Sequence, residues 1–178
     1  MFESLCSFER DGFKYRLLNK SDKLFFIDLY TNNEVMKYIC APFTEEEAEL
    51  LFEDKITKQT SNDRNRFVWV VVNDDVQLGL VGLTKIDGVW DIGSVLSSTS
   101  LGRGYGARVM SALLSKVFEE YPIERISGTI PTNNMPCIKC VKKLGFKYSG
   151  EKRGGDQIWH LESSHHKTRK NELKPVNT

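Results

Sequence analysis

The stretch SSTSLGRGYGARVM, residues 97–110, places glycines at alternate positions 102, 104 and 106 directly before an apolar helical pattern. Glycine in an ordered segment costs roughly 0.5–1 kcal/mol relative to alanine, so this repetition needs a structural or functional reason. Glycine lets the backbone approach a ligand closely, and a helix start offers unpaired N–H donors with a partial positive charge. The loop therefore predicts a site for an anion, such as a phosphate group, at a strand-to-helix turn.

Other interpretations of this loop fit less well. Dinucleotide-binding folds use G-x-G-x-x-G, whereas this chain has G-x-G-x-G, and SSTS separates it from the preceding strand pattern. A P-loop requires Gly-Lys-Ser/Thr, which the loop lacks. A merely flexible turn stays open as an alternative, although flexibility alone does not favour alternate glycines before a well-formed helical pattern.

Hydrophobic periodicity and turn signals along the chain predict an α/β (α+β) sandwich. The turn residues at 73–75 and 87–88 indicate that the strands between residues 67 and 96 form an antiparallel meander. The whole pattern predicts a mixed, mostly antiparallel sheet of about six or seven strands flanked by about four helices. Strands are expected at 13–18, 67–72, 76–86, 89–96, 125–130 and in a hairpin within 148–162. Helices are expected after Ser21, after Thr44, between the glycine loop and Pro122, and from Pro136 to Leu144. Thr44 and Glu47 have the spacing of a capping box.

Composition limits the classes of partner and compartment. The 178 residues predict one domain over residues 1–162, followed by a polar, disordered tail over 163–178. With 25 basic and 24 acidic side chains the net charge is +1, so no global field favours nucleic acid. The N-terminus lacks the apolar core of a signal peptide, and the longest apolar run, 67–72, is too short to cross a membrane. Four cysteines without a secretion signal favour reduced thiols in the cytoplasm.

Two signatures in this chain resemble the GNAT acetyltransferase superfamily. LGRGYG, residues 101–106, is similar to its acyl-CoA loop, Gln/Arg-x-x-Gly-x-Gly/Ala, with Leu101 departing from the first position. In the ribosomal-protein N-acetyltransferase branch that position is commonly aromatic. DIGSVLSS (91–98) resembles that branch's fourth strand, NNMPCIKCVKKLGF (133–146) its C-terminal signature, and NNEVMKYICAPFTEEEAE (32–49) its acceptor-side helices. The resemblance spans roughly residues 13 to 162.

The resemblance implies acetyl-CoA as the cosubstrate and no metal. Main-chain groups of Ser94, Val95 and Leu96 would pair with the pantetheine amides, and Asn134 would contact the cosubstrate from the following helix. The Arg103 side chain is expected to lie along the phosphates of the cosubstrate. The alternative is that this side chain is merely exposed and solvated. The N–H groups that would surround the pyrophosphate belong to Gly102, Arg103, Gly104, Tyr105, Gly106 and Ala107.

The same resemblance suggests catalytic candidates. Many superfamily members have a tyrosine acid where this chain has Val141, so Cys137 is the expected donor of a proton to the departing CoA thiolate. Asp156 is the expected base and Asp91 the second candidate, with ion pairing as the alternative role for either. Simple packing is the alternative for Cys137. A redox role for the C-x-x-C pair with Cys140 lacks a thioredoxin-like context, and a zinc role lacks a second ligand pair.

The expected activity is acetyl transfer to a primary amine by direct attack in a ternary complex. The resemblance favours a protein N-terminal α-amine as acceptor, with Glu34, Tyr38 and Phe43 lining its site. A small amine (a polyamine, an amino sugar or an antibiotic) is the alternative acceptor, and a non-catalytic acyl-CoA-binding module is the alternative function. We expect a cytoplasmic monomer or homodimer without nucleic-acid or membrane partners.

Overall fold

Eight strands form one mixed sheet in the order β1-β2-β3-β4-β5-β6-β8-β7. The computed structural model describes residues 6–60 and 65–166. Neighbouring strands are antiparallel except β5 and β6, which are parallel. The strands are β1 Ser7–Arg10, β2 Phe13–Leu17, β3 Arg66–Asn73, β4 Val76–Ile86, β5 Val89–Leu96, β6 Arg125–Ile130, β7 Lys147–Arg153 and β8 Asp156–Glu162.

The helices begin and end at recognisable caps. Before the third helix, Thr44 and Glu47 form the expected capping box, with Thr44 N–H donating to Glu47 (2.8 Å) and Glu47 N–H to Thr44 Oγ1 (3.2 Å). Gly145, in the left-handed region, ends the helix that begins at Met135. The α-helices are α1 Lys23–Thr31, α2 Asn33–Met36, α3 Glu45–Thr60, α4 Tyr105–Glu120 and α5 Met135–Leu144, with short 3₁₀ turns at Lys20–Asp22 and Ser98–Ser100.

The two faces of the sheet carry separate apolar clusters because side chains alternate along each strand. Trp69, Leu83 and Ile126 point to the face covered by α4 and α5. Val68 and Leu80 point to the opposite face, covered by α1–α3. We call these the α4–α5 face and the α1–α3 face.

The mixed, mostly antiparallel α/β fold and the β3–β5 meander confirm the sequence prediction. The eighth strand is β1, whose SFER sequence has no strand pattern of its own and pairs with β2 across a tight turn. Ser21 does not cap a helix; instead Asn19 accepts its N–H at the 3₁₀ turn. Within the described ranges no helix is long and apolar enough to cross a membrane.

The predicted tail boundary at residue 162 differs from the structure. Residues 163–166 are helical. His166 Nε2 lies 3.0 Å from Ser115 Oγ, and its ring packs against Phe118 at 5.4 Å. The chain therefore remains attached to α4 beyond β8, and the predicted disorder of residues 167–178 falls outside the described residues.

Candidate active site

The parallel strands β5 and β6 diverge toward the end of β5. Their pairing consists of Trp90 with Ile126 and Asp91 with Ser127. Beyond that point, residues 93–96 of β5 have no partner in β6 among the described residues, and Gly93 and Ser94 are exposed. Such an unpaired strand edge presents N–H and C=O groups that an extended ligand can pair with.

A cleft of about 400 Å³ opens at this divergence and is lined from both faces of the sheet. Phe26, Tyr30 and Lys55 contribute to its wall on the α1–α3 face, whereas Cys137 and Val141 contribute on the α4–α5 face. The residues between them belong to β4, β5 and β6. Two ligands bound on opposite faces of the sheet can therefore meet in this gap.

The glycine loop needs glycine for its backbone angles rather than for space. Gly102 and Gly104 have φ of 72° and 77°, and a Cβ at either position would meet nothing within 4 Å. Gly104 is the N-cap of α4, where no side chain caps the helix and the first turn holds no acidic residue. No described side chain therefore occupies the N–H donors and the positive dipole end of α4, and both can bind the anionic group of a ligand.

The end of β5 is held between β4 and the start of α4. A Cβ on Gly106 would lie 3.5 Å from Leu96 Cδ1. A Cβ on Gly79 of β4, where φ is +156°, would lie only 2.3 Å from the Val95 carbonyl oxygen. The open edge of β5 therefore lies next to the open start of α4, although only Ser94 and Val95 of the predicted trio line the cleft itself.

The side chains of the loop are placed differently from its backbone. Arg103 is exposed and makes no hydrogen bond or ion pair within the described part of the chain. Tyr105 is half-buried and packs edge-on against Phe13, with ring centroids 6.2 Å apart. Ala107, also half-buried, follows in the first turn of α4.

Cys137 and Asn134 both line the cleft at the start of α5. The Asn134 side-chain oxygen accepts the Cys137 N–H at 3.1 Å and so caps the helix. Burial, followed by the nearby Cys140, raises the pKa of the Cys137 thiol to about 11. The thiol is therefore protonated at neutral pH, which suits a hydrogen-bond donor and not a nucleophile.

Asp91 and Asp156, the two candidate bases, lie in different surroundings. Asp91 lines the cleft, accepts a hydrogen bond from Thr129 Oγ1 at 3.1 Å and lies 3.9 Å from an Arg153 nitrogen. Burial raises the pKa of Asp91, although Thr129 and Arg153 act to lower it. Asp156 begins β8 opposite Arg153 and does not line the cleft. The structure thus brings Asp91, and not Asp156, together with Cys137.

The predicted acceptor contacts lie away from the cleft lining. Glu34 is exposed because α2 buries Val35 and Met36 and turns its other residues outward, and Tyr38 is exposed in the turn that follows α2. Phe43 packs behind the cleft against the Tyr30 ring, with centroids 5.6 Å apart. Tyr30 and Ile39, from the same part of the chain, line the cleft in their place.

Two cations of the cleft wall, Lys55 and Arg66, were not predicted. Arg66 gives a weak signal because it alternates with Val68 and Val70 along a buried strand. Lys55 gives none, since α3 carries charged residues on most of its surface.

Within residues 6–60 and 65–166 no group of three His, Cys, Asp or Glu residues could hold a metal ion.

Comparison by sequence matches residues 13–147 to the family model of the acetyltransferase (GNAT) domain. An uncharacterized N-acetyltransferase of Bacillus subtilis (strain 168), YnaD, is 28% identical over 123 residues, which cover 67% of this chain and 70% of the relative. An uncharacterized N-acetyltransferase of Bacillus licheniformis, p20, is 27% identical over 126 residues, covering 68% and 71%.

Comparison by structure finds the same fold in several solved proteins. The spermidine N-acetyltransferase of Vibrio cholerae, solved with CoA and spermine, has a TM-score of 0.71 and 19% identity, covering 87% of this chain and 98% of its own. The aminoglycoside acetyltransferase AAC(6')-Ib, solved with coenzyme A, has a TM-score of 0.75 and 15% identity, covering 89% and 99%. An uncharacterized protein of Bacillus halodurans reaches 0.81 at 14% identity, covering 96% and 97%. At these identities the likeness is one of fold.

Proposed function

The chain belongs to the acetyltransferase (GNAT) domain family, and we propose that it moves the acetyl group of acetyl-CoA directly to a primary amine in a ternary complex. One observation carries this proposal. The cleft joins the open edge of β5 to both faces of the sheet, so a thioester on one face can meet an amine arriving from the other. Holding two reactants in line in this way can lower the barrier by several kcal/mol.

We assign acetyl-CoA to the open backbone groups of the site. The pyrophosphate takes the N–H donors of residues 102–107, and the pantetheine amides pair with the edge formed by Ser94, Val95 and Leu96. Asn134 already uses its side-chain oxygen to cap α5, so its Nδ2 donor is the group left to face the cosubstrate. Donors near the end of β5 would also receive the oxyanion that develops on the thioester carbonyl.

Asp91 is the base in this proposal. The amine must lose a proton, and a carboxylate whose pKa is raised toward neutrality accepts it more readily than an ordinary one. Asp156 remains the alternative that the resemblance suggested, but it would have to act from outside the cleft lining.

Cys137 has a narrower role than full acid catalysis. A CoA thiol resembles cysteine, with a pKa near 8.5, so proton transfer from a thiol at about 11 to the departing thiolate is uphill. The Cys137 S–H can still donate a hydrogen bond to the leaving sulfur, or order a water that protonates it. The remaining proton then comes from solvent.

We favour a protein N-terminal α-amine as the acceptor. Its pKa near 8 leaves a substantial neutral fraction, whereas a lysine-type amine near 10.4 needs a stronger base. Lys55 and Arg66 in the cleft wall would repel a polyamine or an aminoglycoside, both of which carry several positive charges. For the protein itself we propose a cytoplasmic location, because its four cysteines favour a compartment that keeps thiols reduced.

The test is amine-dependent release of free CoA thiol from acetyl-CoA. We expect release with peptides that have a free N-terminus, and mass spectrometry should place the acetyl group on the α-amine. N-terminally blocked peptides that contain lysine, spermidine and an aminoglycoside serve as competing acceptors. Activity on spermidine with none on any peptide N-terminus would overturn the acceptor. Acetyl-CoA binding without release by any amine would favour the non-catalytic module.

A further inference from the structure

Excess positive charge lies in the part of the cleft wall formed by α3 and β3. Lys55 of α3 and Arg66 of β3 both line the cleft. Asp54 lies 2.7 Å from the Lys58 nitrogen and 3.8 Å from an Arg66 nitrogen, so this carboxylate is shared. Lys55 makes no ion pair or hydrogen bond with any described residue. These contacts leave Lys55 as a cation of the cleft wall that has no paired anion among the described residues.

The surroundings of Lys55 make its positive charge costly. Burial lowers the pKa of the Lys55 ammonium, and the charge of Arg66 lowers it further. Asp54 and Lys58 nearby have opposing effects, raising and lowering this pKa respectively. A half-buried cation without a partner gains more from an anionic ligand than a solvated surface lysine does, because it has already lost part of its hydration.

The distance from these cations to the proposed base limits the shape of such a ligand. Arg66, Thr84 and Asp91 lie opposite one another in register on β3, β4 and β5, with their side chains on the α1–α3 face. Two strand spacings separate Arg66 from Asp91, which is roughly 10 Å between backbones. An amine at Asp91 and an anion at Lys55 and Arg66 would therefore be held several ångströms apart in one molecule.

We propose that Lys55 and Arg66 bind a carboxylate of the acceptor, so that the substrate is an N-terminal amine followed closely by an acidic group. This inference rests on the function proposed above. Consecutive Cα atoms lie 3.8 Å apart, so a glutamate or aspartate directly after the first residue can span the required distance. The planar guanidinium of Arg66 and the mobile ammonium of Lys55 are both suited to a carboxylate.

The experiment compares peptides that differ only in charge. C-terminally amidated tetrapeptides share an N-terminal alanine and carry glutamate, glutamine or lysine as second residue. An alanyl-glutamine dipeptide with a free C-terminus, against its amide, tests whether a main-chain carboxylate serves equally. We expect kcat/KM roughly tenfold higher for glutamate than for glutamine, the size of one hydrogen-bonded charge contact, and lowest for lysine.

Variants of α3 assign the effect to Lys55. Lys55→Met should bring the glutamate-to-glutamine ratio of kcat/KM close to one, whereas a purely structural role would lower both rates alike and leave this ratio unchanged. Lys55→Glu should reverse the preference toward the lysine peptide. Lys58→Met is the matched control, because Lys58 is a lysine of the same helix that pairs with Asp54 and does not line the cleft. It should keep the wild-type ratio.

The outcomes separate this inference from the function on which it rests. Equal kcat/KM for the three tetrapeptides with wild-type enzyme overturns the inference and leaves N-acetylation standing, and this comparison needs no variant to fold. A glutamate preference that survives Lys55→Met also overturns it. If no peptide or other amine is acetylated while acetyl-CoA binds, the proposed function fails, and the inference fails with it.

Discussion

Gly104 occupies a backbone region that favours glycine, with open space where a side chain would project. Gly104→Val therefore forces a branched residue into a backbone conformation that costs on the order of 1–3 kcal/mol. It also places the valine methyl groups at the N-terminus of α4, where we assign the pyrophosphate. We expect acetyl-CoA binding to fall below detection by calorimetry while circular dichroism shows a folded protein. Arg103→Ala is the control.

The control separates backbone from side-chain binding. Arg103 is exposed and has no partner in the described ranges, so its contact with a solvated phosphate should contribute little. We expect Arg103→Ala to change the affinity for acetyl-CoA less than about fivefold. A loss as severe as that of Gly104→Val would mean that the arginine, and not the backbone, holds the phosphate.

Cys137 is open to a three-way comparison. Cys137→Ser keeps a donor and should retain most of the activity. Cys137→Ala removes the hydrogen bond that we propose to the leaving sulfur, and we expect kcat to drop roughly tenfold with the KM for acetyl-CoA nearly unchanged. Steady-state kinetics with a saturating amine measures both. Full activity in Cys137→Ala would reduce the residue to packing, and an acetylated enzyme without acceptor would indicate a covalent route instead.

At the scale of elements, the close approach of β4 to the end of β5 depends on Gly79. In Gly79→Ala the new Cβ would lie 2.3 Å from the Val95 carbonyl, so one of the two strands must move. We expect a loss of stability on the order of 2–3 kcal/mol together with weaker acetyl-CoA binding, because the displaced strand carries the edge to which we assign the pantetheine amides. Thermal unfolding and calorimetry measure the two effects.

Gly82→Ala is the matched control on the same strand. Its Cβ would lie at an ordinary 3.7 Å from the Phe67 carbonyl, at a φ that any residue adopts. Its melting temperature should stay close to that of the wild type. Equal destabilisation of the two variants would contradict the special role of Gly79.

Elements with their own local signals were predicted well from the sequence. The β3–β5 meander followed from turn residues between β-branched runs, and α5 from Pro136 and Gly145. The strand β1 could not be predicted, because SFER becomes a strand only by pairing with β2. The helical turn at 163–166 was missed for a similar reason, since its polar residues are held by a contact between His166 and α4.

At the scale of the whole molecule, the cleft is the property that sequence patterns encode least. Asn134 and Cys137 lie in one contiguous motif, so the resemblance could point to them together. Lys55, Arg66 and Asp91 come from α3, β3 and β5, and only the tertiary fold brings them to one cavity. The choice between Asp91 and Asp156 depended on the divergence of β5 and β6, which local periodicity does not describe.

Asp91, the base in our proposal, would link the activity of the molecule to its overall stability. Burial raises its pKa above the ordinary 3.8, so the folded state binds this proton more tightly than the unfolded chain. The contribution of Asp91 to the free energy of unfolding therefore falls as pH rises from about 3.8 through the raised value. Asp91→Asn should melt at a higher temperature than wild type at neutral pH, with the difference vanishing in acid, while kcat/KM falls roughly 10²-fold or more. Asp156→Asn should change neither the melting temperature nor kcat/KM. Melting curves and pH–rate profiles measure both variants, and a loss of kcat/KM in Asp156→Asn but not in Asp91→Asn would make Asp156 the base.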